Sequence, residues 1–170
     1  MTISKIIFSL LFILIAASMF FYSVKGKGMS LFGKGEKVCI FSGFDGKITL
    51  NGEPASGAKI IRKAQWMDDV EPKSKEYFAG KNGEFSFESW WALDQRKFVP
   101  QFASSQQISV IYKDETYEIW GAGKLDTKEN EEFSYKYPKK LSCELTDDSI
   151  FIQLDGGSFI STSCQWTIGD

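Results

Sequence analysis

The sequence predicts an all-β fold, a single antiparallel β-sandwich of about seven to nine strands preceded by one N-terminal hydrophobic helix. From Val38 onward apolar residues alternate at period two, and turn dipeptides such as Asn51-Gly52 and Asn82-Gly83 punctuate the chain about every ten residues. No convincing amphipathic helix competes with that pattern. With 170 residues and 43% hydrophobic content, one domain is expected and a second is not.

The first element is apolar. Ile6 to Val24 carries no charge and lies between Lys5 and the pair Lys25 and Lys27. At about 1.5 Å per residue it spans roughly 28 Å, close to the hydrocarbon thickness of a bilayer. Residues 1–24 are therefore read as a single-pass membrane anchor, a signal anchor rather than a cleaved peptide. A cleavable signal would use Ala16, Ala17 and Ser18, but the apolar run continues through Met19, Phe20, Phe21 and Tyr22, longer than such a segment needs. A buried core helix is the poorest reading, because it would normally keep a polar stripe. Lys25, Lys27, Lys34 and Lys37 favour a cytoplasmic domain, whereas the short amino-terminal tail favours export. The reading adopted is a periplasmic domain, with the cytoplasmic side left open.

Residues 25–37 read as a flexible Gly/Lys-rich tether. Within it, Met29 opens the phrase "MSLFGKG" and is an alternative start for a leaderless form. Residues 38–170 are the β domain. In "DGKITLNGEPASGAKII", Ile48 and Leu50 alternate with Lys47 and Thr49 before the Asn51-Gly52 hairpin turn, Pro54 and Gly57 bracket a short bend, and Ala58 and Ile60 begin a second strand. Asn82-Gly83 repeats the device ahead of Phe85 and Phe87. In "QQISVIYKDETYEIW", Ile108, Val110 and Tyr112 share a face, a turn covers Lys113 to Glu115, and Tyr117 and Ile119 continue the return. "KLSCEL", "SIFIQL" and "FISTSCQWTI" supply the last strands. Residues 66–76 and 121–136 are polar and read as loops, the second with room for a helical turn.

The phrase "GKITLNGEPASGAKI … KNGEFSFES" resembles the carboxypeptidase regulatory-like, or transthyretin-like, β-sandwich, over roughly residues 45–88. That module accompanies enzymes, receptors and surface proteins, so the resemblance implies a fold and no particular function. Over most of residues 38–166, "VCIFSGFDGKITLNGEPASGAKIIRKAQW", "SQQISVIYKDETYEIW" and "LSCEL" are similar to a family of small uncharacterised proteins of Gram-negative bacteria. Ile40 stands where that family usually has Leu, and residues 1–28 depart from its common leaderless pattern. The resemblance implies no catalytic residue. Some relatives resemble immunity or accessory partners of secreted antibacterial effectors.

Composition excludes several chemistries. Twenty basic residues nearly balance 22 acidic ones, for a net charge of −2, and no basic stripe marks a nucleic-acid binder. There is no histidine, which removes the commonest general base and the usual Ser-His and Cys-His pairs. Cys39, Cys143 and Cys164 lack C-x-x-C spacing, so no metal is expected. Cys143 and Cys164 fall in neighbouring strands and could pair in an oxidising compartment, leaving Cys39 free. Burial of all three as free thiols is the competing reading. "GKGMSLFGKG" lacks the order of a phosphate loop, and no cofactor is expected. The carboxylates Asp68, Asp69 and Glu71, or Asp147 and Asp148, could in principle serve hydrolysis, but adjacent acids in loops are usually solvated surface. The chain is read as no enzyme.

Aromatic residues make the better functional case. Trp90 and Trp91 must face opposite sides of an extended strand. Trp91 shares parity with Phe85 and Phe87 and is assigned to the core, which leaves Trp90 on the surface ahead of Arg96 and Phe98. Trp and Arg are enriched at binding hot spots. Burial of Trp90 too, by a bulge or a second sheet, is the alternative. Two functions follow: a non-catalytic, membrane-tethered module for an unknown protein partner, or a carbohydrate or peptidoglycan binder of the cell envelope.

Overall fold

A computed structural model describes residues 35–66, 71–95 and 101–168. The helix expected within residues 1–24 and nearly all of the tether lie outside them. Among the described residues no helix is long and apolar enough to cross a membrane.

The described chain is all-β, with thirteen strands where about seven to nine were expected. They are β1 (Glu36–Phe41), β2 (Phe44–Leu50), β3 (Glu53–Pro54), β4 (Lys59–Trp66), β5 (Lys73–Phe78), β6 (Glu84–Phe87) and β7 (Trp90–Asp94). Then follow β8 (Ser104–Tyr112), β9 (Glu115–Lys124), β10 (Pro138–Glu144), β11 (Ile150–Gln153), β12 (Phe159–Thr162) and β13 (Cys164–Ile168). Short 3-10 turns occupy Glu131–Phe133 and Asp155–Gly157. The strands form a two-stranded sheet, β1-β7, and a five-stranded sheet in the order β13-β10-β2-β3, with β6 also on β2. The third sheet has six strands, in the order β11-β12-β9-β8-β4-β5. All pairs are antiparallel except β10 with β2.

Local chemistry explains the turns. Asn51 and Gly52 both take positive φ, 53° and 82°, which closes β2 onto β3 as an Asn-Gly hairpin should. The Glu144 side chain caps that turn, accepting from the Asn51 and Gly52 amides at 2.8 and 2.9 Å and from the Thr49 hydroxyl at 2.8 Å. Gly83, at φ 78°, is packed so closely on β2 that any Cβ would collide with the Ile48 carbonyl oxygen.

The core forms where the five- and six-stranded sheets face each other. Phe44 of β2 meets Phe87 of β6 at 5.3 Å and Trp120 of β9 at 5.6 Å between ring centroids, and Phe133 closes over it at 5.4 Å. Ile48, Ile60, Ile108, Val110, Ile119 and Ile160 fill the layer around these rings. Cys143 and Cys164 stand directly opposite each other on β10 and β13 and are joined by a disulfide, while Cys39 is a buried free thiol.

Two of the expected loops are shorter than read. Residues 73–76 belong to β5, whose charged side chains suit an exposed edge that pairs, among the described residues, with β4 alone. Residues 121–124 continue β9: Gly121 and Gly123 pair with Gln107 and Ser105, and the Phe159 ring occupies the space a side chain at Gly123 would need. The first strand begins at Glu36, because Glu36 and Lys37 pair with Asp94 and Leu93.

Candidate functional site

The two adjacent tryptophans are the reverse of the parity expectation. Trp90 is half-buried against the core, and Trp91 is 37% exposed. The strand containing Phe85 and Phe87 ends at Phe87; after Glu88 and Ser89 the chain leaves β2 and pairs with β1 instead. A change of partner sheet resets which side is inside, so parity does not carry from β6 to β7. Trp91 and Leu93 then share the exposed face of β7, with the Lys37 ammonium 4.6 Å over the Trp91 ring. The Lys75 ammonium covers Trp90 at 4.8 Å. Arg96 and Phe98, the other expected binding residues, lie outside the described residues, as do Asp68 and Asp69. Glu71, Asp147 and Asp148 are exposed.

A buried polar cluster gathers Ser42, Gln106, Lys124, Glu131 and Glu132, of which Lys124, Glu131 and Glu132 fall in the stretch 121–136 that was read as a loop. The Glu132 carboxylate accepts from the Ser42 amide at 3.2 Å, the Ser42 hydroxyl at 2.6 Å, the Gln106 amide at 2.6 Å and the Lys124 ammonium at 3.0 Å. Burial pushes its pKa up, but Lys124 and the hydrogen bonds from Ser42 and Gln106 outweigh that and hold it below the usual glutamate range. Lys124 also donates to the Lys128 carbonyl at 2.6 Å and reaches Glu131 at 3.5 Å. Burial raises the pKa of Glu131.

Arg62 is wholly buried and donates to the carbonyls of Glu88, Phe41 and Ser42 at 2.7, 3.0 and 2.8 Å, with its guanidinium 3.9 Å from the centre of the Phe41 ring. These groups tie the chain after β1, the start of β7 and the turn before β10 into one unit. Arg62 was legible in principle, because it shares parity with Ala58, Ile60 and Ala64. Nothing local distinguishes Glu131 and Glu132 from solvated acids.

The cluster suits structure better than chemistry. Each charge is matched by donors or acceptors of the chain itself, as buried ions require. Burial, followed by the nearby charge of Glu132, pushes the Cys39 thiol up to about 11, so it is protonated near neutral pH and a poor nucleophile. Among the described residues no group of three or more acids and cysteines could hold a metal ion.

The outer face of the six-stranded sheet is open. A trough of about 410 Å³ is lined by Ser105, Gln107, Glu118, Gly121 and Ser161, and space above Gly121 is unfilled. Gln107 donates to Glu118 at 2.7 Å along one wall. Toward the sheet edge, the rings of Phe151 and Phe159 stack at 5.6 Å, with 66% and 41% of their surface exposed, beside Ile150 at 53%.

The family described as Domain of unknown function (DUF6795) matches residues 44–148, more than half of the chain. The chain belongs to the DUF6795 family. No curated protein and no solved structure matches it. Within the matched span of the DUF6795 domain fall Arg62, Gln106, Lys124 and Glu132, all members of the buried polar groups. Strands β11, β12 and β13, with the exposed phenylalanines and Cys164, follow that span.

Proposed function

We propose that the chain is a non-catalytic binding module that recognises a protein partner and is held at a membrane by residues 6–24. The observation that carries this reading is the exposure of large apolar side chains at strands braced by a buried polar cluster: Phe151 and Phe159 on one face of the six-stranded sheet, with Ile150 at its edge, and Trp91 and Leu93 on β7. Water-exposed aromatic clusters on a rigid scaffold are what interfaces bury. An immunity or accessory role for a secreted antibacterial effector is the partner relationship we favour. The facing sheets are read as a transthyretin-like sandwich. The Cys143–Cys164 bridge supports a periplasmic domain, because disulfides persist in oxidising compartments.

A second reading, a carbohydrate or peptidoglycan binder, draws on the polar trough above Gly121 and its Gln107 and Glu118 wall. Co-purification of the intact protein from native membranes, with Trp91→Ala/Leu93→Ala and Phe151→Ser/Phe159→Ser variants beside it, separates the two. Retention of a specific protein by the wild type and its loss in one variant pair is expected. Retention of glycans with no protein partner overturns the protein-binding reading.

A further inference from the structure

Resting on that reading, we infer that β11 accepts an extended segment of the partner as an added strand, and that this segment carries a basic residue at each end of a short apolar stretch. Strand β11 closes one end of the six-stranded sheet: β12 pairs with one side of it, and among the described residues no strand pairs with the other. Its open backbone amides and carbonyls are thus a template for strand addition, with apolar side chains to match. Ile150 and Phe151 are exposed on that strand, and Phe159 extends the Phe151 surface inward across the sheet.

The charges decide the occupant. Asp147 and Asp148 precede β11 and Asp155 follows it, all exposed. Asp147 and Asp148 line a notch of about 240 Å³ together with Ile150, Ser163 and Gln165. Ser163 is only 7% exposed, and among the described residues its hydroxyl has no hydrogen-bond partner. A buried hydroxyl left open beside two carboxylates suits an entering guanidinium or ammonium group, which brings donors for all three.

A second copy of this chain fits poorly. Two-fold pairing of β11 with itself, centred between Phe151 and Ile152, would set Asp148 against the second copy's Asp155 at both ends. Like charges placed opposite each other across strands are destabilising. A foreign strand with Lys or Arg at those two places turns both repulsions into attractions and fills the notch with one of the two side chains.

Panning a phage-displayed random dodecapeptide library on the immobilised full-length protein in detergent tests this, with enriched sequences then made as synthetic peptides. Enriched peptides should share two basic residues bracketing alternating apolar ones, and should slow hydrogen exchange at the amides of Ile150–Gln153. Asp148→Asn combined with Asp155→Asn, both exposed and structurally neutral, should weaken their binding at least tenfold, and raised salt should do the same. Enrichment of peptides without basic ends, or protection mapping to β7 rather than β11, overturns the inference while leaving protein recognition standing. No enrichment over bare matrix overturns it too. The native-membrane co-purification, which reads partners at any surface, separates that failure from failure of the wider reading.

Discussion

The Glu132 cluster and the β11–β12 edge break the usual partition in opposite directions: one places charges inside, the other places phenylalanines outside. Inside, the Glu132 carboxylate has four donors of the chain itself within 3.2 Å, so its burial is compensated locally and its role is to hold loops together. Outside, among the described residues, Phe151 has Phe159 as its ring neighbour and 66% of its surface stays exposed. A buried anomaly that is fully satisfied points to architecture, and an exposed one that is unsatisfied points to a partner.

Substitutions can break that contrast. The largest effect is expected from Lys124→Met, which leaves Glu132 buried without its counter-charge and should cost about 3–5 kcal/mol in urea or thermal unfolding. A loss within about 0.5 kcal/mol, the range of ordinary surface changes, would mean that the cluster is not what holds the loops. Cys143→Ser with Cys164→Ser comes next. The bridge closes a loop that contains both β11 and β12, with a sequence separation of 21 residues, so its loss should cost about 2–4 kcal/mol. It should also speed hydrogen exchange at Ile150–Gln153 more than at β8, because it ties the exposed edge to the interior.

Acid should probe a third charged feature, the Glu144 cap. Burial pushes its carboxyl up, but the Gly52 amide, Thr49 hydroxyl and Asn51 amide outweigh this and bring it from the ordinary 4.5 down to about 2. A carboxylate depressed in the folded state contributes stability above its unfolded pKa and loses it as pH falls through the folded one. The urea midpoint of the wild type should therefore fall between about pH 4.5 and pH 2, and Glu144→Gln should flatten that part of the profile. An unchanged profile would remove Glu144 from the set of structural charges. The smallest stability effect belongs to the edge: Phe151→Ser should change unfolding by no more than about 0.5 kcal/mol. Partner retention should nonetheless be lost. If Phe151→Ser destabilises as much as Lys124→Met does, the two regions do not differ in kind and the ring is structural.

Much of the β pattern was legible because its signals are local. Ile48 and Leu50 before Asn51-Gly52 specify strand and turn within a few residues of chain, and that hairpin folds as read; Asn82-Gly83 also turns the chain into the Phe85 and Phe87 strand, but with Gly83 alone at positive φ, and it carries the chain from the six-stranded sheet to the five-stranded one instead of closing a hairpin. Residues 121–124 were misread because two glycines look like a loop until Phe159 from another strand is known to lie over one of them. The candidate site was legible only in its residue types. Trp90 and Trp91 were singled out correctly as a pair facing opposite ways, but their sides depended on β7 pairing with β1.

By itself, then, the sequence determined the all-β class, the principal hairpin turns, the absence of histidine chemistry and the family to which the chain belongs, since each resides in composition or in neighbouring residues. Only the tertiary structure decided which tryptophan meets water, that Glu131 and Glu132 are interior, that Cys143 faces Cys164 and that β11 is an edge. Each of these depends on which strand lies beside which. Pairing partners far apart in the chain are chosen by the collective burial of both sheets, and no local window of sequence contains that choice.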